Sequence, residues 1–130
     1  MEGCVNLYLS SADSTATFPS NTASDFTTLL PERLDLSPDR WWCILVDFQL
    51  AGLSPDRPLY LCCDTCDDAI IGQKKLPVLS RVSSETTRPT HVTHVKLKTR
   101  SVSTVRIYLT DRDGRSISLN SGTSYCTLQF

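Results

Sequence analysis

The sequence predicts an all-β chain built as an antiparallel sandwich or barrel. Three observations predict it. Helical periodicity is nearly absent; the apolar residues fall in short runs that alternate with polar ones; and glycine and proline stand between those runs amid abundant serine and threonine. Counting the runs gives eight or nine short strands.

Val5-Asn6-Leu7-Tyr8-Leu9 is the first, with Val5, Leu7 and Leu9 on one face. A polar connection over residues 10–25 follows, too rich in Ser, Thr, Asn and Pro for a helix, and it reads as extended. Within it Phe18-Pro19 reads as an aromatic anchor, and the segment has two destinations open to it: along a neighbouring subunit, or over its own sheet. Phe26 to Leu30 forms the next strand, stopped by Pro31; Leu34 and Leu36 continue the apolar line to the turn Ser37-Pro38-Asp39.

The run from Trp41 to Leu50 is the most apolar stretch, with apolar side chains on both faces. Such a strand lies inside a sandwich or has one face against a partner. Trp42, Ile44, Val46 and Phe48 are expected to face the core, which turns Trp41, Cys43 and Leu45 the other way, Trp41 toward a subunit contact; the alternative is that both tryptophans are internal packing. Leu59 to Cys63 is the next strand. Ile70-Ile71 and Leu76-Pro77-Val78-Leu79 flank a Gly-Gln-Lys-Lys turn, and the proline assigns the second of these segments to a sheet edge. Val92 to Leu97, Val102 to Leu109, Ile117 to Leu119 and Tyr125 to Phe130 complete the set. The last run alternates through Cys126, Leu128 and Phe130, so it must be paired, since its apolar face would otherwise meet water.

Asp111-Arg112-Asp113-Gly114-Arg115 has two acids two positions apart and a glycine, as calcium loops do. Calcium loops need further oxygen ligands and a bidentate acid about twelve residues in. Ile117 and Leu119 follow at once instead, so the stretch is a hairpin corner with glycine supplying the positive φ.

The chain has 130 residues, 40% hydrophobic and 21% charged, which suits one domain with a sizeable core. A net charge of −1 sets up no global field toward nucleic acid or an anionic membrane. No apolar run approaches the roughly 18 residues of a membrane span. The first twenty residues have neither the basic start nor the apolar centre of a secretory signal, so a reducing compartment is expected. The six cysteines (Cys4, Cys43, Cys62, Cys63, Cys66 and Cys126) are then thiols. Cys63-Asp-Thr-Cys66 has the spacing of half a zinc site, and His91 with His94 is the one pair that would complete it; the strand rhythm around them favours solvated or interface histidines, so no metal is assigned.

Nothing in the sequence assembles an active site. There is no nucleophile elbow and no glycine-rich phosphate loop, and the two histidines share one strand. Asp67-Asp68 reads as a solvated loop tip, and Lys96-x-Lys98-x-Arg100 as the charged face of a strand. No catalytic residue, cofactor or specific nucleic-acid partner is assigned, and an enzyme is not expected.

Taken in order, several segments carry a family resemblance. They are Leu7-Tyr8-Leu9-Ser10-Ser11, Phe18-Pro19-x-Asn21-Thr22, Asp25-Phe26-x-x-x-Leu30-Pro31-x-x-Leu34-x-Leu36, Trp41, and Leu59-Tyr60-Leu61-Cys62-Cys63-Asp64. Ile71-Gly72, Leu76-Pro77-Val78-Leu79, Ile107-x-Leu109-x-Asp111-x-x-Gly114-x-x-Ile117-x-Leu119-x-x-Gly122 and the closing Leu128-x-Phe130 follow. The order resembles the minor capsid, or penton-type, proteins of adenovirus-like DNA viruses, of adomaviruses, and of adintovirus and Maverick/Polinton elements. It departs from them in having only residues 51–58 where relatives carry a long insertion, and Trp42-Cys43 where an acid would follow the tryptophan.

The resemblance implies a single jelly roll of about eight strands spanning residues 1–130. It also implies a homopentamer at the vertices of an icosahedral virion, in contact with the major capsid protein and assembled inside the host cell, in the nucleus. An accessory or cement capsid protein, and a monomeric β-sandwich binding module, are the alternatives. Subunit interfaces draw on aromatic anchors, which makes Trp41, Tyr8, Tyr60 and Phe18 the interface candidates.

Overall fold

The computed structural model describes residues 5–36, 42–50, 59–82, 86–87, 93–117 and 122–130, and every regular element in them is a strand. In chain order these are β1 (Asn6–Ser10), β2 (Asp25–Asp35), β3 (Trp42–Leu50), β4 (Leu59–Cys63), β5 (Ala69–Ile71), β6 (Lys74–Leu76), β7 (Val78–Val82), β8 (Thr86–Thr87), β9 (Val95–Lys96), β10 (Ser101–Thr110) and β11 (Ser124–Gln129). Among the described residues no helix is long and apolar enough to cross a membrane.

Two antiparallel sheets carry the fold. One has the order β1-β11-β3-β8, with β9 pairing to the start of β3; the other has the order β2-β10-β4-β7. Apart from β4 and β7, which pair within one sheet, successive main strands cross from one sheet to the other, which is the two-Greek-key connectivity of a jelly roll. The inner faces of the two sheets meet in a core containing Leu9, Phe26, Phe48, Leu61, Ile107, Leu109, Leu128 and Phe130. Fully burying each of these side chains stabilises the fold by about 1.5–3 kcal/mol. The last strand lies between β1 and β3, as its unbroken alternation requires, and Val5 and Phe130 exchange backbone hydrogen bonds of 3.1 and 2.8 Å.

The face assignment on β3 differs from strict alternation. Asp47 pairs with Thr127 and Leu45 with Leu128, so Val46 is an extra residue with no partner on β11. This bulge reverses the phase of the strand. Cys43 and Leu45 point into the core before it, and Phe48 and Leu50 after it. Trp42, expected inside, is half-buried outside the core, and its ring meets His94 edge-on at 5.0 Å.

Pro31 does not stop β2 either, because β2 is the outer strand of its sheet and a missing N–H is tolerated at an edge. The proline sits in an irregularity where Leu29 pairs with Thr104 and Leu34 with Val102. Pro77 separates β6 from β7, and β7 is the other edge of the same sheet. β9 is shorter than the run from Val92 to Leu97 predicts, and Ile117 lies outside any strand; Val92, Ser118 and Leu119 fall outside the described residues.

The connection over residues 10–25 is not extended. It folds into successive turns that hydrogen-bond to β2 and, through Ser11 and Ser124, to β11. Asp13 Oδ2 accepts from the Ser10 N–H, Ser14 Oγ accepts from Leu29 N, and the Asn21 amide both accepts from Thr27 N and donates to Thr27 O, each at 2.9–3.0 Å. Asn21 thereby takes the place of a strand partner along the edge of β2.

The corner between β10 and the segment after it is as the sequence reads. Asp111 Oδ1 accepts from Asp113 N and Arg115 N, both at 2.9 Å, and Gly114 has φ of 81°. The carboxylate closes the turn.

Candidate assembly surface

On the outer face of the first sheet, Tyr8 of β1 lies opposite Thr127 and Tyr125 of β11 lies opposite Ser10. The two tyrosines are diagonal cross-strand neighbours, a spacing that long side chains bridge. Tyr8 is 76% exposed and Tyr125 is also exposed. Both project there because their chain neighbours Leu7, Leu9, Cys126 and Leu128 face inward.

Around the edge from Tyr8, β1 and β2 flank the open side of the sandwich. A groove of about 400 Å³ runs between them, lined by Tyr8, Thr28, Leu29, Pro31 and, from the folded connection, Asp13 and Ser14. Leu29 and Pro31 are exposed. Thr28 is buried, and its hydroxyl has no hydrogen-bond partner among the described residues.

On the outer face of the second sheet, the patch around Arg106 is polar and self-paired. Arg106 donates through Nε and Nη2 to the two carboxylate oxygens of Asp25 at 3.0 and 2.9 Å, and its guanidinium lies 4.3 Å from the centre of the Tyr108 ring. Asp25 raises the Arg106 pKa further, and burial pushes the Tyr108 hydroxyl up to about 12. These groups saturate one another.

The four aromatic residues expected at an interface part company. Tyr8 is displayed. Tyr60 is only 6% exposed, within a strand whose five residues are all buried, so it presents no contact surface. Phe18 is half-buried in a turn in which its N–H donates to Ser14 O at 2.8 Å. Trp41 lies outside the described residues. Tyr125, Leu29 and Ile70, all exposed, were missed. Alternation places Tyr125 outward once Cys126 and Leu128 are in the core; Leu29 is recognisable only as the residue out of phase with Phe26 and Thr28.

The five described cysteines lie inside. Cys43, Cys62, Cys63, Cys66 and Cys126 are all free and buried. Contact with Cys66, with burial, holds the Cys63 thiol well above its ordinary pKa, and contact with Cys43 does the same to Cys66. Burial raises Cys126 likewise, and Cys62 to about 11. Neutral thiols of this kind are inert packing groups. His94 is exposed against Trp42 whereas Cys63 and Cys66 are buried, and His91 lies outside the described residues. Among the described residues no three His, Cys, Asp or Glu side chains are disposed to hold a metal ion.

In comparisons with known proteins, no family model and no curated protein matches the chain.

Proposed function

We propose that this chain is a structural, non-enzymatic shell protein. In this reading it is a penton-like jelly-roll subunit that forms pentamers at the five-fold vertices of an icosahedral viral capsid, contacts the major capsid protein, and assembles in the host-cell nucleus. The observation that carries the reading is the strand order β1-β11-β3-β8 against β2-β10-β4-β7, the arrangement used by viral capsid domains. The exposed tyrosines, and the order of segments that resembles penton-type proteins, support it.

Lectin-type binding modules use the same arrangement, so the oligomeric state is the decisive measurement. Size-exclusion chromatography with light scattering is expected to give a particle of five times the 14.5 kDa chain mass. A monomer at every concentration would overturn the proposal in favour of a binding module. Pentamers that imaging places between vertices would make the chain an accessory capsid protein.

A further inference from the structure

β5 and β6 form a hairpin outside both sheets, closed by the two-residue loop Gly72-Gln73, with Gly72 at φ of 61°. Its pairing puts Ala69, Ile71, Lys74 and Leu76 on one face and Ile70 with Lys75 on the other. The first face is occupied by the chain's own corner, since Leu76 and Lys74 fill the space beside Gly114 and Gly72 faces the Arg112 guanidinium. The second face is free. Ile70 is 72% exposed, and Lys75 is exposed with no ion-pair partner among the described residues.

The groove between β1 and β2 is the converse of that face. It offers an apolar rim from Tyr8, Leu29 and Pro31 and one anion in Asp13. No residue of the hairpin lines it, so a hairpin that fills it comes from another molecule.

We infer that the groove between β1 and β2 receives the β5–β6 hairpin of a second copy of this chain, Ile70 packing between Tyr8 and Leu29 while Lys75 pairs with Asp13. This rests on the reading of the chain as a self-assembling subunit and names the surfaces that assembly uses. One apolar knob with one cation meets one apolar groove with one anion, which makes the match complementary in both chemistry and charge. The two surfaces are different parts of the molecule, so the contact is heterologous and propagates from copy to copy until a ring closes.

A mixing experiment tests it. Ile70→Asp and Leu29→Asp each change an exposed side chain, and each is expected to weaken self-association at least tenfold in light scattering. Ile70→Asp leaves the groove intact and Leu29→Asp leaves the hairpin intact. An equimolar mixture is therefore expected to form a one-to-one dimer and stop there, and formation of that dimer also establishes that both variants are folded. Reversing both charges together, Asp13→Lys with Lys75→Asp, is expected to restore part of the association that Lys75→Asp alone removes. If the parent assembles while Ile70→Asp assembles equally well, or if the mixture yields no dimer, the hairpin is not the guest and only this inference falls. A parent chain that never associates overturns the assembly reading as well.

Discussion

The bulge at Val46 decides which half of β3 faces the core, and it can be tested by comparing two adjacent residues. Unbroken alternation with Phe48 inside would bury Val46 and expose Leu45. The structure has Leu45 only 4% exposed, within the core, and Val46 42% exposed. Leu45→Ala removes three buried carbons and leaves a cavity between the sheets, at a cost of about 2–5 kcal/mol. Val46→Ala removes a half-solvated group, at a cost of about 0.5 kcal/mol and below about 1 even with the loss of β propensity. In urea unfolding, with a slope of roughly 1.5 kcal/mol/M for a chain of this size, Leu45→Ala is expected to lower the midpoint by about 2 M. Val46→Ala is expected to lower it by less than about 0.7 M on the same slope. Both are read at one protein concentration, because association would add to apparent stability. A Val46→Ala cost equal to or greater than that of Leu45→Ala would refute the bulge and return Trp42 to the interior.

Other outcomes follow from the same geometry. A double-mutant cycle on Arg106→Ala and Asp25→Ala should return a coupling of about 0.5–1 kcal/mol, because both side chains are more than a third exposed, and it should shrink in high salt. Asp111→Ala strips the acceptor from two backbone N–H groups and should cost about 1 kcal/mol in thermal or urea unfolding, with partial recovery in Asp111→Asn. In a Cys4→Ser background, the five buried thiols should be silent toward an aromatic disulfide reagent at pH 8 and react together on unfolding. Cys62 adds a pH dependence with a defined sign. Its folded pKa, about 11, lies above the ordinary value of 9.0, so its stabilising contribution is whole below pH 9 and is lost as pH rises through 11. The urea midpoint should fall across that window, and less steeply in Cys62→Ala.

The strand runs and the hairpin corner were legible because period-two alternation and a glycine between apolar runs are local signals. The phase of β3 was not. A one-residue bulge is specified by the neighbouring strand, here at Thr127 and Leu128, and leaves no mark in the sequence of β3 itself. Pro31 was misread for a related reason: its effect depends on whether β2 lies at an edge, which only the sheet order determines. Composition identified Tyr8 and Tyr60 alike as interface aromatics. The structure leaves Tyr8 76% exposed and buries Tyr60, a difference that the alternation of either strand does not carry. Of the groove, the sequence contained Tyr8, but not its meeting with Leu29 and Asp13 across two sheets.

The position of β11 between β1 and β3 has a kinetic consequence. Asn6 pairs with Gln129 and Leu9 with Cys126, so the first sheet is joined through partners separated by almost the whole chain. Closing so large a loop comes before any reward from the contacts it allows, and topologies of this kind fold in milliseconds to seconds rather than microseconds. Until that closure, β1 and β3 each present a bare hydrogen-bonding edge, which makes the interval before it the period when newly made copies are most prone to join one another wrongly.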